Sequence, residues 1–152
     1  MWHKIENASD IKSFMERVND FSDSCVKEMK YISGGFVDRT RSMDAINDRR
    51  ELYILFQRQY TTYSTFEMKF EKIQKLIMEP YDEQHECVIY GATFVKRNHL
   101  YYWFDYAEGD IRDLYQVKAS SQEGTCVVAE RVFWREVDVP LGNQEFYSCS
   151  EK

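Results

Sequence analysis

The sequence predicts an α+β fold, mostly β, in which an antiparallel curved sheet of about six strands packs on an N-terminal helix. Three observations carry this expectation. Aromatic residues make up 16% of the chain, with 11 Tyr and 10 Phe, and flat rings favour the pleated surface of a strand. A helical apolar period is confined to Ala8 to Phe21, and a period of two dominates afterwards. The period-two segments follow one another mainly through hairpin connections. At 152 residues, with no linker and no internal repeat, residues 1–152 are expected to form a single domain.

From Ala8 to Phe21, Ile11, Phe14, Met15 and Val18 recur at spacings of three and four, with Ser9 or Asp10 expected as the N-cap and Asn19-Asp20 as the break. Asp23 and Ser24 stand where the chain leaves the helix and enters a strand. Their short polar side chains are expected to bond nearby backbone amides and fix that turn. Cys25 to Ile32 alternates loosely, and Asp38 to Arg50, with no period, reads as a long loop. Glu51 to Tyr60 places Leu52, Ile54 and Phe56 on one face. Thr65 to Glu71 alternates without a fault, with Phe66, Met68 and Phe70 inward. Glu86 to Lys96 and His99 to Tyr106 form a hairpin about Arg97-Asn98, and Asp110 caps a short helix over IRDLYQ. Thr125 to Val137 is the last strand, ended by Pro140 and Gly142.

A net charge of −6 argues against a nucleic-acid ligand, which calls for clustered Lys and Arg. It would favour a basic protein partner electrostatically, but it is equally what keeps a soluble protein dispersed, and that is the favoured reading. No window approaches the ~20 apolar residues of a membrane span, and MWHKIENASD lacks the apolar stretch of a secretory signal. A cytoplasmic location without membrane association is expected. Cys25, Cys87 and Cys126 read as buried strand thiols and Cys149 as a tail residue, with no C-x-x-C spacing among them. His3, His85 and His99 share no ligand spacing, so no metal or other cofactor is assigned. Cys87 with His85 or His99 is the one candidate nucleophile pair, and an inert strand cysteine is the favoured reading. Asp105, Glu108, Asp110 and Asp113 lack the calcium-loop spacing and read as a solvated loop. Phosphate-loop, dinucleotide and nucleophile-elbow motifs are absent from the sequence, so no catalytic residue is assigned.

One surface rises above this background. If Phe66, Met68 and Phe70 pack on the helix, alternation assigns Tyr53, Gln57, Glu67, Lys69, Glu71, Tyr101, Trp103, Glu130 and Trp134 to the opposite face. Large rings among acids have the composition of a protein interface. Tyr53, Glu67, Glu71, Tyr101, Trp103, Glu130 and Trp134 are therefore the expected partner-binding residues. The competing expectation is that a loop, such as Asp38 to Arg50, folds over these rings and completes the core.

Phe21-Ser22-Asp23-Ser24-Cys25-Val26, followed by a strand ending Tyr31-Ile32-Ser33-Gly34, resembles the F-H-D-[SA]-x-[IV] opening of uncharacterised small bacterial β-rich proteins. Some of these are described as immunity proteins of polymorphic toxin systems. Phe21, Asp23 and Ser24 carry over, whereas Ser22 stands where the pattern has His, so no His-Asp pair is implied. The resemblance implies a non-catalytic bacterial binding protein that neutralises a partner protein. Two other readings stand beside it: a small-molecule-binding protein or enzyme with a pocket between sheet and helix, using Asp23, tyrosines and His99, and a module that self-associates through its sheet.

Overall fold

The computed structural model describes residues 1–46, 48–59, 64–107 and 124–148. The helix expected from Asp110, the acids Glu108, Asp110 and Asp113, and Cys149 lie outside the described residues.

Strand β1 (His3–Ile5) leads into helix α1 (Ala8–Arg17). The cap is Asn7, not Ser9 or Asp10: its side chain accepts the Asp10 N–H at 3.0 Å, while the Asp10 carboxylate accepts the Glu6 N–H at 2.9 Å. This reciprocal pair satisfies two amides at the helix entry. The helix ends early, and a short 3-10 turn (Asn19–Phe21) follows in which Asn19, Asp20 and Phe21 have φ of 51°, 51° and 63°. That left-handed hook drives the Phe21 ring into the core against Phe14, Phe56, Phe66 and Trp103.

The main sheet comprises β2 (Ser24–Ile32), β5 (Glu51–Arg58), β6 (Thr65–Ile77), β9 (Cys126–Glu136), β8 (Leu100–Phe104) and β7 (Thr93–Arg97), in that order. β1 pairs with the far end of β9 as a seventh strand, and every pairing is antiparallel. The fold is therefore mostly β with one helix near the N-terminus, as the apolar periods predict. β6 runs beyond the expected Glu71, and its register against β9 shifts between Ile73 and Lys75. The sheet curls until Ile89 forms a single bridge to Ser24 on the edge strand β2, without closing into a barrel. Between β2 and β5, where a loop was expected, β3 (Phe36–Val37) and β4 (Met43–Asp44) form a separate two-stranded arm.

The layer between α1 and the sheet is filled by Ile11, Phe14 and Val18 from the helix and by Leu52, Ile54, Phe56, Phe66, Met68 and Phe70 from the sheet. Among the described residues, rings fill the layer where one of the alternative readings would have a pocket: Phe14 meets Phe21, Phe66, Phe94 and Trp134. The β7–β8 hairpin turns at Asn98-His99, one residue later than expected. Asn98 takes φ 57°, a conformation its side chain tolerates better than Arg97 would.

At the mouth of β2, Ser24 is buried and its hydroxyl donates to the Phe21 carbonyl at 2.5 Å, a carbonyl rather than the amide expected. Asp23 is exposed with φ 56°, and its carbonyl accepts the Gln59 N–H at 3.0 Å. Its contribution is thus conformational. Asp23→Ala is expected to lower stability by about 1 kcal/mol, with Asp23→Gly close to the parent, because the cost lies in a left-handed backbone that Ala resists. Denaturant unfolding of both variants checks this: equal losses would place the cost in the carboxylate instead.

Candidate functional site

On the face of the sheet away from α1, cross-strand partners form two rows. Lys30, Tyr53, Lys69 and Phe133 run across β2, β5, β6 and β9, and Glu28, Leu55, Glu67 and Arg135 run beside them. Paired residues of neighbouring strands share a face, so this register fixes what the surface presents.

The register also corrects the expected site. Trp134 pairs with Met68 and therefore points at the helix, where it meets the Phe14 ring at 5.1 Å and lies under the Arg17 guanidinium. Trp103 and Tyr101 pair with Val127 and Ala129 and are buried in the same core, the Tyr101 hydroxyl donating to the Ile5 carbonyl at 2.7 Å. β8 reads Leu-Tyr-Tyr-Trp-Phe, apolar on both sides, so alternation alone gives it no phase. Glu130 is exposed beside the β6 irregularity, where Lys72 has φ 58°, and accepts a hydrogen bond from Gln74 at 3.0 Å. Of the expected residues, Tyr53, Glu67 and Glu71 lie together on the outer face.

That face is charge-balanced rather than acidic. Glu51 faces Arg49 at 3.2 Å and Lys69 at 3.9 Å, and Glu71 takes Lys69 at 2.6 Å and Arg131 at 2.9 Å. Glu67, only 1% exposed, is bound by Arg135 at 2.7 Å. The cations also lie over rings: Arg135 at 4.5 Å from the centre of Trp2, and Lys69 at 5.6 Å from Tyr53 and 5.8 Å from Phe133. Cation and ring together hold the stems of these long side chains against the sheet.

A strap formed by residues 137–148 crosses one side of this face. It is this segment, not Asp38 to Arg50, that covers the second face. Val137 and Leu141 bury against Leu55, with Phe146 and Tyr147 packed beside them. The Glu28 carboxylate accepts the successive backbone N–H groups of Phe146 and Tyr147 at 2.6 and 2.8 Å. The Tyr147 hydroxyl donates to Glu67 at 2.8 Å, and burial, reinforced by Glu67, pushes that phenol far above its ordinary value. Gln57 donates to the Gly142 carbonyl at 3.1 Å. Beside the strap an open cleft of about 570 Å³ is lined by Lys30, Ile32, Arg49, Tyr53, Glu67 and Arg135, among others.

Ile32 and Arg49 stand at the two roots of the β3–β4 arm, so arm and cleft adjoin. The arm's turn is built by Asp38, whose carboxylate accepts the Thr40 hydroxyl and the N–H groups of Thr40 and Ser42, bonds that hold it below the ordinary carboxyl value. Its apolar residues Phe36, Val37, Met43 and Ile46 are 54, 56, 71 and 95% exposed. Sequence reasoning missed the arm because strands of two residues carry no period. It also missed Trp2, Glu28, Phe146 and Tyr147; the apolar residues Leu141, Phe146 and Tyr147 recurring after Pro140 were their only signal.

A second cleft, about 400 Å³, opens at the mouth of β2 and is lined by Asp23, Cys25, Gln57, Arg58 and Cys87, among others. Cys87 is exposed and outside any strand, correcting its reading as a buried strand thiol, whereas Cys126 is buried and Cys25 half-buried. His85 faces Asp82 at 3.5 Å, and His99 is exposed in the hairpin turn. Among the described residues no group of His, Cys, Asp and Glu is arranged to hold a metal ion, and no helix is long and apolar enough to cross a membrane.

At the end of β8, Asp105 accepts the Thr125 N–H at 3.0 Å while Glu79 accepts the Gly124 N–H. Burial pushes the Asp105 carboxyl up to about 6, against the opposing hydrogen bond from Thr125 and with help from Glu79. The fold thus holds a proton there that the unfolded chain has already released, and stability falls as pH rises from about 4 to about 6. Asp105→Asn is expected to flatten that decline and to raise stability at pH 7 by about 1–2 kcal/mol, after allowance for partial solvent screening. Denaturant midpoints at pH 4, 5, 6 and 7 check it: a parent and variant that run parallel would exclude Asp105 as the titrating group.

No family model, curated protein or solved structure matches the chain.

Proposed function

We propose that this chain is a non-catalytic binding protein that engages a partner protein through its outer sheet face and the adjoining β3–β4 arm. One observation carries the reading: four apolar side chains, Phe36, Val37, Met43 and Ile46, stand in solvent on an arm rooted beside a cleft lined with aromatic and basic residues. Apolar side chains grouped this way mark interaction surfaces, and a two-stranded hairpin has too little core to justify them by itself. The rim of Lys30, Arg49, Lys69, Glu71 and Arg135 supplies polar contacts around the Tyr53 ring. Most of that rim is basic, but Arg49, Lys69 and Arg135 are paired with Glu51, Glu71 and Glu67, which fits a partner surface of mixed charge better than a uniformly basic one.

The Phe21 to Val26 opening resembles that of small bacterial proteins, some of which are described as immunity proteins, and this supports a bacterial protein that neutralises its partner. In this reading Tyr53 and Glu71 are contact residues, with Arg135, Phe133 and the arm as neighbours, while Glu67, buried and bound by Arg135 and Tyr147, holds the face in place. The test is affinity capture from the source organism with three baits: the parent, Met43→Ser/Ile46→Ser on the arm, and Tyr53→Ala on the face. A stoichiometric protein captured by the parent and lost from both variants, at unchanged melting temperature, is the expected result. Undiminished capture by both variants would remove the assigned surface.

A further inference from the structure

The strap is held in the way a peptide ligand is held. Glu28 accepts two consecutive backbone N–H groups, a recognition of main chain rather than side chain. Glu67, buried and fixed by Arg135, accepts the hydroxyl of the second of two adjacent aromatic residues, and Leu55 is part of the apolar floor. These anchors join residues far apart in the chain, and the strap between Val137 and Ser148 contains no strand. The strap does not seal the sheet: Leu141, Phe146 and Tyr147 line the 570 Å³ cleft together with Tyr53, Lys30 and Arg49.

From this geometry we infer that the outer face carries a peptide-binding groove, occupied in cis by Phe146-Tyr147, which takes an extended segment of a partner protein bearing two adjacent aromatic residues, the second with a hydroxyl. Two N–H groups to one carboxylate fix the backbone, and the hydroxyl-to-Glu67 bond selects Tyr over Phe at the second position. The tethered strap is present at high effective concentration, so an incoming segment competes with it, and the strap sets the threshold for binding. The inference deepens the proposed function and rests on the outer face being the binding face. Its test needs no partner, so a failed capture and a failed groove are told apart.

The probe is a fluorescein-labelled peptide of residues 139–148, titrated by fluorescence anisotropy into the full chain and into the full chain carrying Phe146→Ala/Tyr147→Ala. The unlatched variant is expected to bind the peptide at least about tenfold more tightly than the parent, because the competing tether has lost its anchors. Adding Glu28→Ala to that variant, or placing Ala at both aromatic positions of the peptide, is expected to abolish the gain. Equal binding to parent and variant, or no binding to a variant that still melts cooperatively, would overturn the inference. Tyr147→Phe removes only the hydroxyl and serves the same comparison where the double variant does not fold: there too the peptide must bind more tightly than to the parent, and binding at or below the parent's level overturns the inference.

Discussion

Trp103→Ala is expected to lower the unfolding free energy by about 4 kcal/mol, enough to leave a protein of ordinary stability marginal at 25 °C. Trp103 is fully buried, and its ring packs on Phe21 at 5.6 Å and Phe56 at 5.4 Å, so truncation opens a cavity between β8, β5 and the left-handed hook. Trp103→Phe separates ring volume from polarity. The indole N–H is buried with no hydrogen-bond partner among the described residues, so Phe removes an unpaired donor along with the second ring. The expected loss is therefore only about 1–2 kcal/mol. Trp134→Ala, at a half-buried site on the same face, is expected to cost less than Trp103→Ala. Denaturant midpoints at constant slope give the ranking, and a Trp103→Ala chain as stable as the parent would refute the assignment of that ring to the core.

Arg135→Ala is the second large effect, about 3 kcal/mol, through a different cause. It leaves the Glu67 carboxylate buried with the Tyr147 hydroxyl as its one bonded donor among the described residues and bares the Trp2 ring. Replacing both charges, Glu67→Leu with Arg135→Leu, is expected to cost far less than Arg135→Ala alone, because no charge is then left stranded in the sheet. A double-mutant cycle reads the coupling directly. Additive losses would mean that solvent reaches Glu67 and that the pair contributes little.

The two tryptophans show where the sequence is legible and where it is not. β6 alternates Phe66, Glu67, Met68, Lys69 and Phe70, so its inner face can be read from the chain, and with it the fold class and the place of Glu67 and Glu71. Trp103 and Trp134 lie in strands whose two sides are both apolar or partly buried, and their faces are set by register with a distant strand. Local alternation holds no information about that register. Tyr53 was legible because it sits between the inward Leu52 and Ile54. The strap was not, because Glu28 recognises the main chain of Phe146 and Tyr147, and hydrogen bonds to backbone leave little trace in side-chain identity.

The central position of β9 has a consequence for biosynthesis. β6 is made early, yet its inner residues Phe66, Met68 and Phe70 pair with Glu136, Trp134 and Val132, which leave the ribosome only after every other strand of the sheet. Until β9 arrives, β2, β5 and β6 form a three-stranded sheet whose β6 edge is unpaired. The β7–β8 hairpin has no strand of that sheet to pair with. Contacts this distant in sequence make folding slow and mostly post-translational. The nascent chain therefore presents the kind of exposed strand edge that chaperones bind and aggregates grow from, and its yield in a cell should depend on how quickly translation delivers residues 126–136.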